Sequence, residues 1–100
     1  MDDRFDTDNI DEIIHGRVRL GLMAYLSGVE SASFGELKER TGTTDGNLST
    51  HMRKLEDAGY VAVTKAFKGR RPLTTAAMTE TGRKAWIAYL DAMRGLLEGG

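Results

Sequence analysis

The sequence predicts one α+β domain with elements in the order helix, helix, helix, strand, strand, helix. Three observations predict it. Two short capped helices flank a tight glycine turn between Ser33 and Ala58. A β-branched run after Gly59 leads through a basic turn into a second, Thr-rich run. A long amphipathic helix closes the chain. The 100 residues suit a single domain with a modest core. No repeat, low-complexity tract or Pro/Ser-rich linker divides them. The expected organisation is an acidic N-terminal tail over residues 1–8 and one folded unit over 9–98.

The first helix is expected over residues 9–27. Asp8 or Asn9 suits its N-cap, and Asp11 and Glu12 suit the positive end of its dipole. Ile10, Ile13, Ile14, Val18, Leu22, Met23 and Leu26 keep a helical period, against which Gly16 and Gly21 weigh. Ser27-Gly28 ends the helix. The second runs from Ser33 to Thr41 and opens with Ser33-Phe34-Gly35-Glu36, the Ser-x-x-Glu form of a capping box. Phe34, Leu37 and the stem of Lys38 face inward, and Gly42 is placed to stop it. A short strand is expected near Ala32.

Thr44 caps a third helix from Asp45 to about Ala58, ended by Gly59. Two short helices joined by a glycine turn make a helix-turn-helix. Tyr60 to Thr64 is β-branched and aromatic and reads as a strand. Phe67 to Pro72 reads as a basic loop, and Leu73 to Met78 as the returning strand. Thr79 or Thr81 caps the last helix, which reaches about Glu98. A hairpin beside a helix-turn-helix is the wing of a winged helix-turn-helix.

The third helix carries the chemistry. Leu48, Met52 and Leu55 form its buried stripe. Gly46, Thr50 and Arg53 point away, flanked by Asn47, Ser49 and Lys54. Small polar residues allow close approach to a DNA major groove, where Asn pairs with adenine and Arg with guanine. The helix N-terminus, capped by Thr44, favours phosphate. Net charge is −1, which by itself argues nothing for nucleic acid. Its distribution does: residues 64–75 hold Lys65, Lys68, Arg70 and Arg71 and no acid, whereas residues 1–12 hold six acids and one base. Arg70 and Arg71 suit phosphates or a narrow minor groove, and Pro72 limits loop freedom.

Residues 46–61, from Gly46-Asn47-Leu48-Ser49-Thr50-His51 through Leu55-Glu56 to Gly59-Tyr60-Val61, resemble the GNLSxHLxxLExxGYV signature of small winged-helix transcriptional regulators of the MarR and ArsR groups. The resemblance extends to Arg19-Leu20, Phe34-Gly35-Glu36-Leu37, Lys68-Gly69-Arg70-Arg71-Pro72 and Leu73-Thr74-Thr75. Thr79-Glu80-Thr81-Gly82-Arg83 is similar to the family's LTxxGR helix opening, with Met78 in the Leu position. In all, it covers roughly residues 15–98. It implies a winged helix, sequence-specific binding of double-stranded DNA and homodimers. His51 matches the signature histidine. Its place beside the buried stripe leaves both a phosphate contact and interior packing open.

On the last helix Trp86, Leu90, Met93 and Leu97 follow at i, i+4, i+7 and i+11, broadened by Ile87, Tyr89 and Leu96. About 19 residues give roughly 28 Å of helix. So wide a stripe suits packing against the first helix and a second subunit, with Ile10, Ile14, Trp86, Tyr89, Leu90, Met93 and Leu97 as dimerisation residues. A twofold dimer spaces its reading helices roughly 34 Å apart and reads a palindromic operator.

Other classes find little support. There is no cysteine, which fits a cytoplasmic setting and removes thiolate chemistry. His15 and His51 lie far apart and form no metal-ligating set. No Gly-rich phosphate loop, HExxH or GxSxG occurs, so neither enzyme activity nor a cofactor is expected. No secretory leader is visible in the first thirty residues, and no apolar run nears the roughly 18 residues of a membrane span. The expected function is homodimeric, repressor-type transcriptional regulation. The alternatives are a winged-helix protein-interaction module and a sensor gated by a small-molecule effector between the first and last helices, near Trp86 and Tyr89.

Overall fold

A computed structural model describes Thr7 and residues 9–99. The acidic tail expected over 1–8 lies, Thr7 apart, outside the described residues. The elements are α1 (Arg17–Leu26), β1 (Ala32–Ser33), α2 (Phe34–Thr41), α3 (Asp45–Asp57), β2 (Val61–Lys68), β3 (Arg71–Met78) and α4 (Glu80–Leu97). The fold is a winged helix of the α+β class: four helices and a three-stranded antiparallel sheet in the order β1-β3-β2.

Local chemistry explains three helix starts. Ser33, Thr44 and Thr79 each stand extended before a helix, and each hydroxyl accepts from the backbone N–H three residues on. Gly42 ends α2 at φ 67, a left-handed conformation that costs glycine little. The capping box is only half built. Ser33 Oγ accepts from the Glu36 N–H at 3.1 Å, but the Glu36 carboxylate turns to α1 and accepts from the Tyr25 hydroxyl.

The first helix is shorter than its periodicity predicts. It begins at Arg17, and residues 9–16 form turns. The Asp11 carboxylate accepts from the backbone N–H groups of Ile13 (2.8 Å) and Ile14 (3.3 Å), closing a local turn in place of a helix. Gly16, extended at φ −170 and ψ 144, then starts α1 with no side-chain cap. The apolar period survives because Ile14, Val18, Leu22, Met23 and Leu26 all reach one core, with Ile10 and Ile13 packed at its edge.

That core is completed by Ala32, Leu37, Leu48, Met52, Leu55, Val61, Ala76, Trp86 and Tyr89. Burying such side chains contributes about 1.5–3 kcal/mol each for the larger ones. Within α4, Trp86 and Tyr89 stack with ring centroids 5.8 Å apart. Gly82 lets α4 start against the base of the wing, since a Cβ there would lie 2.0 Å from the Tyr60 carbonyl oxygen. The Lys38 stem, expected inward, is exposed instead, and its ammonium pairs with Asp45 at 3.2 Å.

The wing is a tighter hairpin than the sequence suggests. The expected loop over Phe67 to Pro72 is mostly strand: Phe67 pairs with Pro72 and Lys68 with Arg71, leaving a two-residue turn of Gly69 and Arg70. Gly69 has φ 66 and Arg70 has no positive φ, the pattern of a type II′ turn, whose twist matches the strands it joins.

Candidate nucleic-acid interface

On α3, Leu48, Met52 and Leu55 are buried, whereas Gly46, Asn47, Ser49, Thr50, Arg53 and Lys54 are exposed. Burying one stripe against the core fixes the rotation of the helix, so the polar face stands clear of the rest of the chain. Thr44 is exposed, and its Oγ accepts from the Asn47 N–H at 3.2 Å. The Thr50 hydroxyl donates to the Gly46 carbonyl at 3.0 Å, which leaves its oxygen to accept from a ligand. The Lys38–Asp45 ion pair neutralises the acid in the first turn of α3, although both groups are substantially solvated and the pair adds little stability.

Helix and wing meet in a cleft of about 350 Å³. Ser49, Met52, Arg53 and Glu56 of α3 line one side, and Val63, Lys65 and Thr74 of the hairpin the other. Strand alternation puts Lys65 and Phe67 on the Val63 face. Phe67 is 75% exposed, a large apolar side chain open to solvent near the wing tip. Lys68 and Arg71 stand directly opposite each other beside Arg70 at the turn, and all three are exposed. Like charges facing across a hairpin destabilise it, and no acid lies between Ala58 and Thr79 to relieve them. An external polyanion would.

His51 is half-buried, and its Nδ1 lies 2.9 Å from Nη1 of Arg19 on α1. Burial, then the charges of Arg19, Lys54 and Arg17, push its pKa below the ordinary histidine value. The ring is therefore neutral near pH 7. Arg19-Leu20 falls within the family resemblance, but no residue pattern gives Arg17 or Arg19 a site role. Their proximity to α3 arises from helix packing and has no local signature.

The expected dimerisation residues divide. Ile14, Trp86 and Tyr89 are buried in the chain's own core and are not free to meet a second subunit. Ile10 and Met93 are half-buried, and Leu90 and Leu97 are 41% and 79% exposed. Ile87, on the same helix, is 53% exposed. A groove of about 470 Å³ lies beside them, between the N-terminal turns (Thr7, Ile10, Glu12, His15) and Met93 and Leu96 of α4. His15 Nδ1 lies 2.9 Å from the Tyr89 hydroxyl at its edge. Trp86 and Tyr89 do not line this groove. Among the described residues no three His, Asp or Glu side chains gather as a metal site, and no helix is long and apolar enough to cross a membrane.

The family model for winged helix DNA-binding domains matches residues 18–97, four fifths of the chain. The chain belongs to this winged helix DNA-binding family. An uncharacterized protein of Methanocaldococcus jannaschii is 38% identical over 79 residues, covering 79% of this chain and 86% of that protein. The solved structure of a transcriptional regulator homologue from Pyrococcus horikoshii OT3 is 30% identical and superposes with a TM-score of 0.83, covering 89% and 88% of the two chains. A MarR-family transcriptional regulator from Enterococcus faecalis V583 is 25% identical with a TM-score of 0.71, covering 82% and 74%. The winged-helix core is thus that of MarR-like DNA-binding regulators.

Proposed function

We propose that the chain binds double-stranded DNA sequence-specifically as a homodimer in the cytoplasm and regulates transcription, acting as a repressor by occluding polymerase. One observation carries the reading: the exposed polar face of α3 and the acid-free basic hairpin border one cleft, with Ser49 and Arg53 facing Lys65 across it. In this arrangement α3 enters the major groove. Asn47, Ser49, Thr50 and Arg53 meet base edges, and Thr44 and Lys54 meet the flanking phosphates. Lys65, Lys68, Arg70 and Arg71 grip the backbone alongside. The apolar positions Ile87, Leu90 and Leu97 of α4 pair two copies about a twofold axis, so the operator is a palindrome.

Fluorescence anisotropy of labelled duplex across a salt series tests this reading. The expected result is binding whose logarithm falls linearly and steeply with log salt. Absence of binding at low salt, or binding indifferent to salt, contradicts it.

A second reading concerns control. The groove between the N-terminal turns and α4 is mainly apolar, with His15 and Glu12 at its edge, which suits a small-molecule effector with an apolar body and one polar group. Ligand-induced change in DNA affinity tests it.

A further inference from the structure

Arg19 lies on α1, yet its side chain reaches His51 on α3. Its Nε donates to the Ile13 carbonyl at 2.5 Å, its Nη2 to the Glu12 carbonyl at 3.5 Å, and its Nη1 meets His51 Nδ1 at 2.9 Å. A guanidinium has only donors, so Nδ1 must be the acceptor, and in the neutral ring the proton then sits on Nε2. No described residue bonds Nε2. His51 is half-buried, and Nε2 is not among the buried side-chain atoms that lack a partner. On the helical wheel His51 lies between the buried stripe and the flank held by Asn47 and Lys54, away from the crest of Gly46, Thr50 and Arg53. A side chain on the flank of a groove-bound helix faces the groove wall, where the phosphates are.

Resting on the DNA-binding reading, we infer that Arg19 is a positioning residue: it locks His51 as the Nε2–H tautomer and so presents an uncharged N–H donor to a backbone phosphate. The groups facing the ring on α1 are Arg19 and Arg17, and on its own helix Lys54, all cationic. They oppose protonation of His51 and keep the donor neutral. An uncharged donor releases no counterion. Its contact therefore adds affinity on every sequence without adding to the salt slope, unlike the contacts of Arg70 or Lys54.

The test has two arms on the full chain. Long-range proton–nitrogen NMR of the free protein reads the tautomer: Nε2–H is expected at His51, moving toward a mixture in Arg19→Met. An Nδ1–H ring, or a ring unchanged by Arg19→Met, overturns the lock. Duplex binding reads the contact: His51→Ala should weaken all duplexes about fivefold at an unchanged salt slope. Arg19→Met should lose a similar factor, and the double variant no more than either. His51→Gln, whose amide nitrogen takes the place of Nε2, should recover most of the loss, whereas His51→Asn should not. Additive losses, or a flatter slope for His51→Ala, overturn the neutral phosphate contact. Where Arg19→Met fails to fold, the contact stands or falls on the Gln and Asn pair: equal binding by the two overturns it. A parent chain that binds no duplex ends the DNA reading and the phosphate role together, while the tautomer arm still tests the lock by itself.

Discussion

The Tyr60 hydroxyl donates to the Asp11 carboxylate at 2.5 Å, tying the start of the wing to the turn that precedes α1. The same carboxylate holds the Ile13 and Ile14 N–H groups, so one aspartate organises the N-terminal turns from both ends. The hydrogen bond to Asp11, then burial, then the charge of Asp11, push the Tyr60 pKa up to about 12.

This bond predicts an alkaline weakness. Tyr60 in the unfolded chain loses its proton near pH 10, but in the folded chain only near 12. Between these values the folded state binds more protons, so the stabilisation is complete below about pH 10 and is lost as pH rises toward about 12. Urea denaturation at pH 8 and pH 11 should show a larger stability loss for the parent than for Tyr60→Phe. Equal losses contradict the bond.

Gly82 makes a second prediction. A methyl group at this position collides with the Tyr60 carbonyl oxygen, which is backbone and cannot swing aside. Gly82→Ala should cost about 1–3 kcal/mol by urea denaturation. Gly46→Ala, where a Cβ meets open space, should not lower stability. Equal stability for the two variants would show that α4 does not start against the wing as described.

Much of the winged helix is legible in the sequence because its caps are local. Ser33, Thr44 and Thr79 announce their helices by residue type and spacing, and the stripe of Leu48, Met52 and Leu55 fixes which face of α3 is free. What is not legible depends on contacts distant in sequence. The break at residues 9–16 follows from the Asp11 turn, whose far anchor is Tyr60. The stripe on α4 does not reveal that Trp86 and Tyr89 complete the chain's own core. The Arg19–His51 contact spans 32 residues and arises only when α1 packs on α3. The hairpin is visible in the sequence, but its turn looks longer there than it is, because Phe67, Lys68 and Arg71 resemble loop residues without the pairing that makes them strand.

The wing residues should behave as phosphate contacts. Arg70→Ala and Arg71→Ala should each weaken binding to all duplexes and reduce the salt slope by about one. Asn47→Ala and Arg53→Ala should instead cost about 1–3 kcal/mol on the preferred site and blur its sequence. Anisotropy titrations on preferred and scrambled duplexes separate the two behaviours. Losses for Asn47→Ala equal on both duplexes would show that it reads no base.

Assembly is tested at α4. Leu90→Asp and Leu97→Asp place charges on exposed apolar positions that a monomer tolerates but a buried twofold interface does not. Sedimentation should find the parent as a dimer and the double variant as a folded monomer with weaker binding to a palindrome. A parent that sediments as a monomer contradicts the assembly.

Selection of bound duplexes from a random pool tests the central claim most directly. If α3 reads the major groove and two copies bind together, the enriched sequences will carry inverted half-sites about one helical turn apart, and Asn47→Ala will relax particular positions within them. A pool that stays random after selection at moderate salt, or enriches with no preference that Asn47 or Arg53 alters, contradicts it.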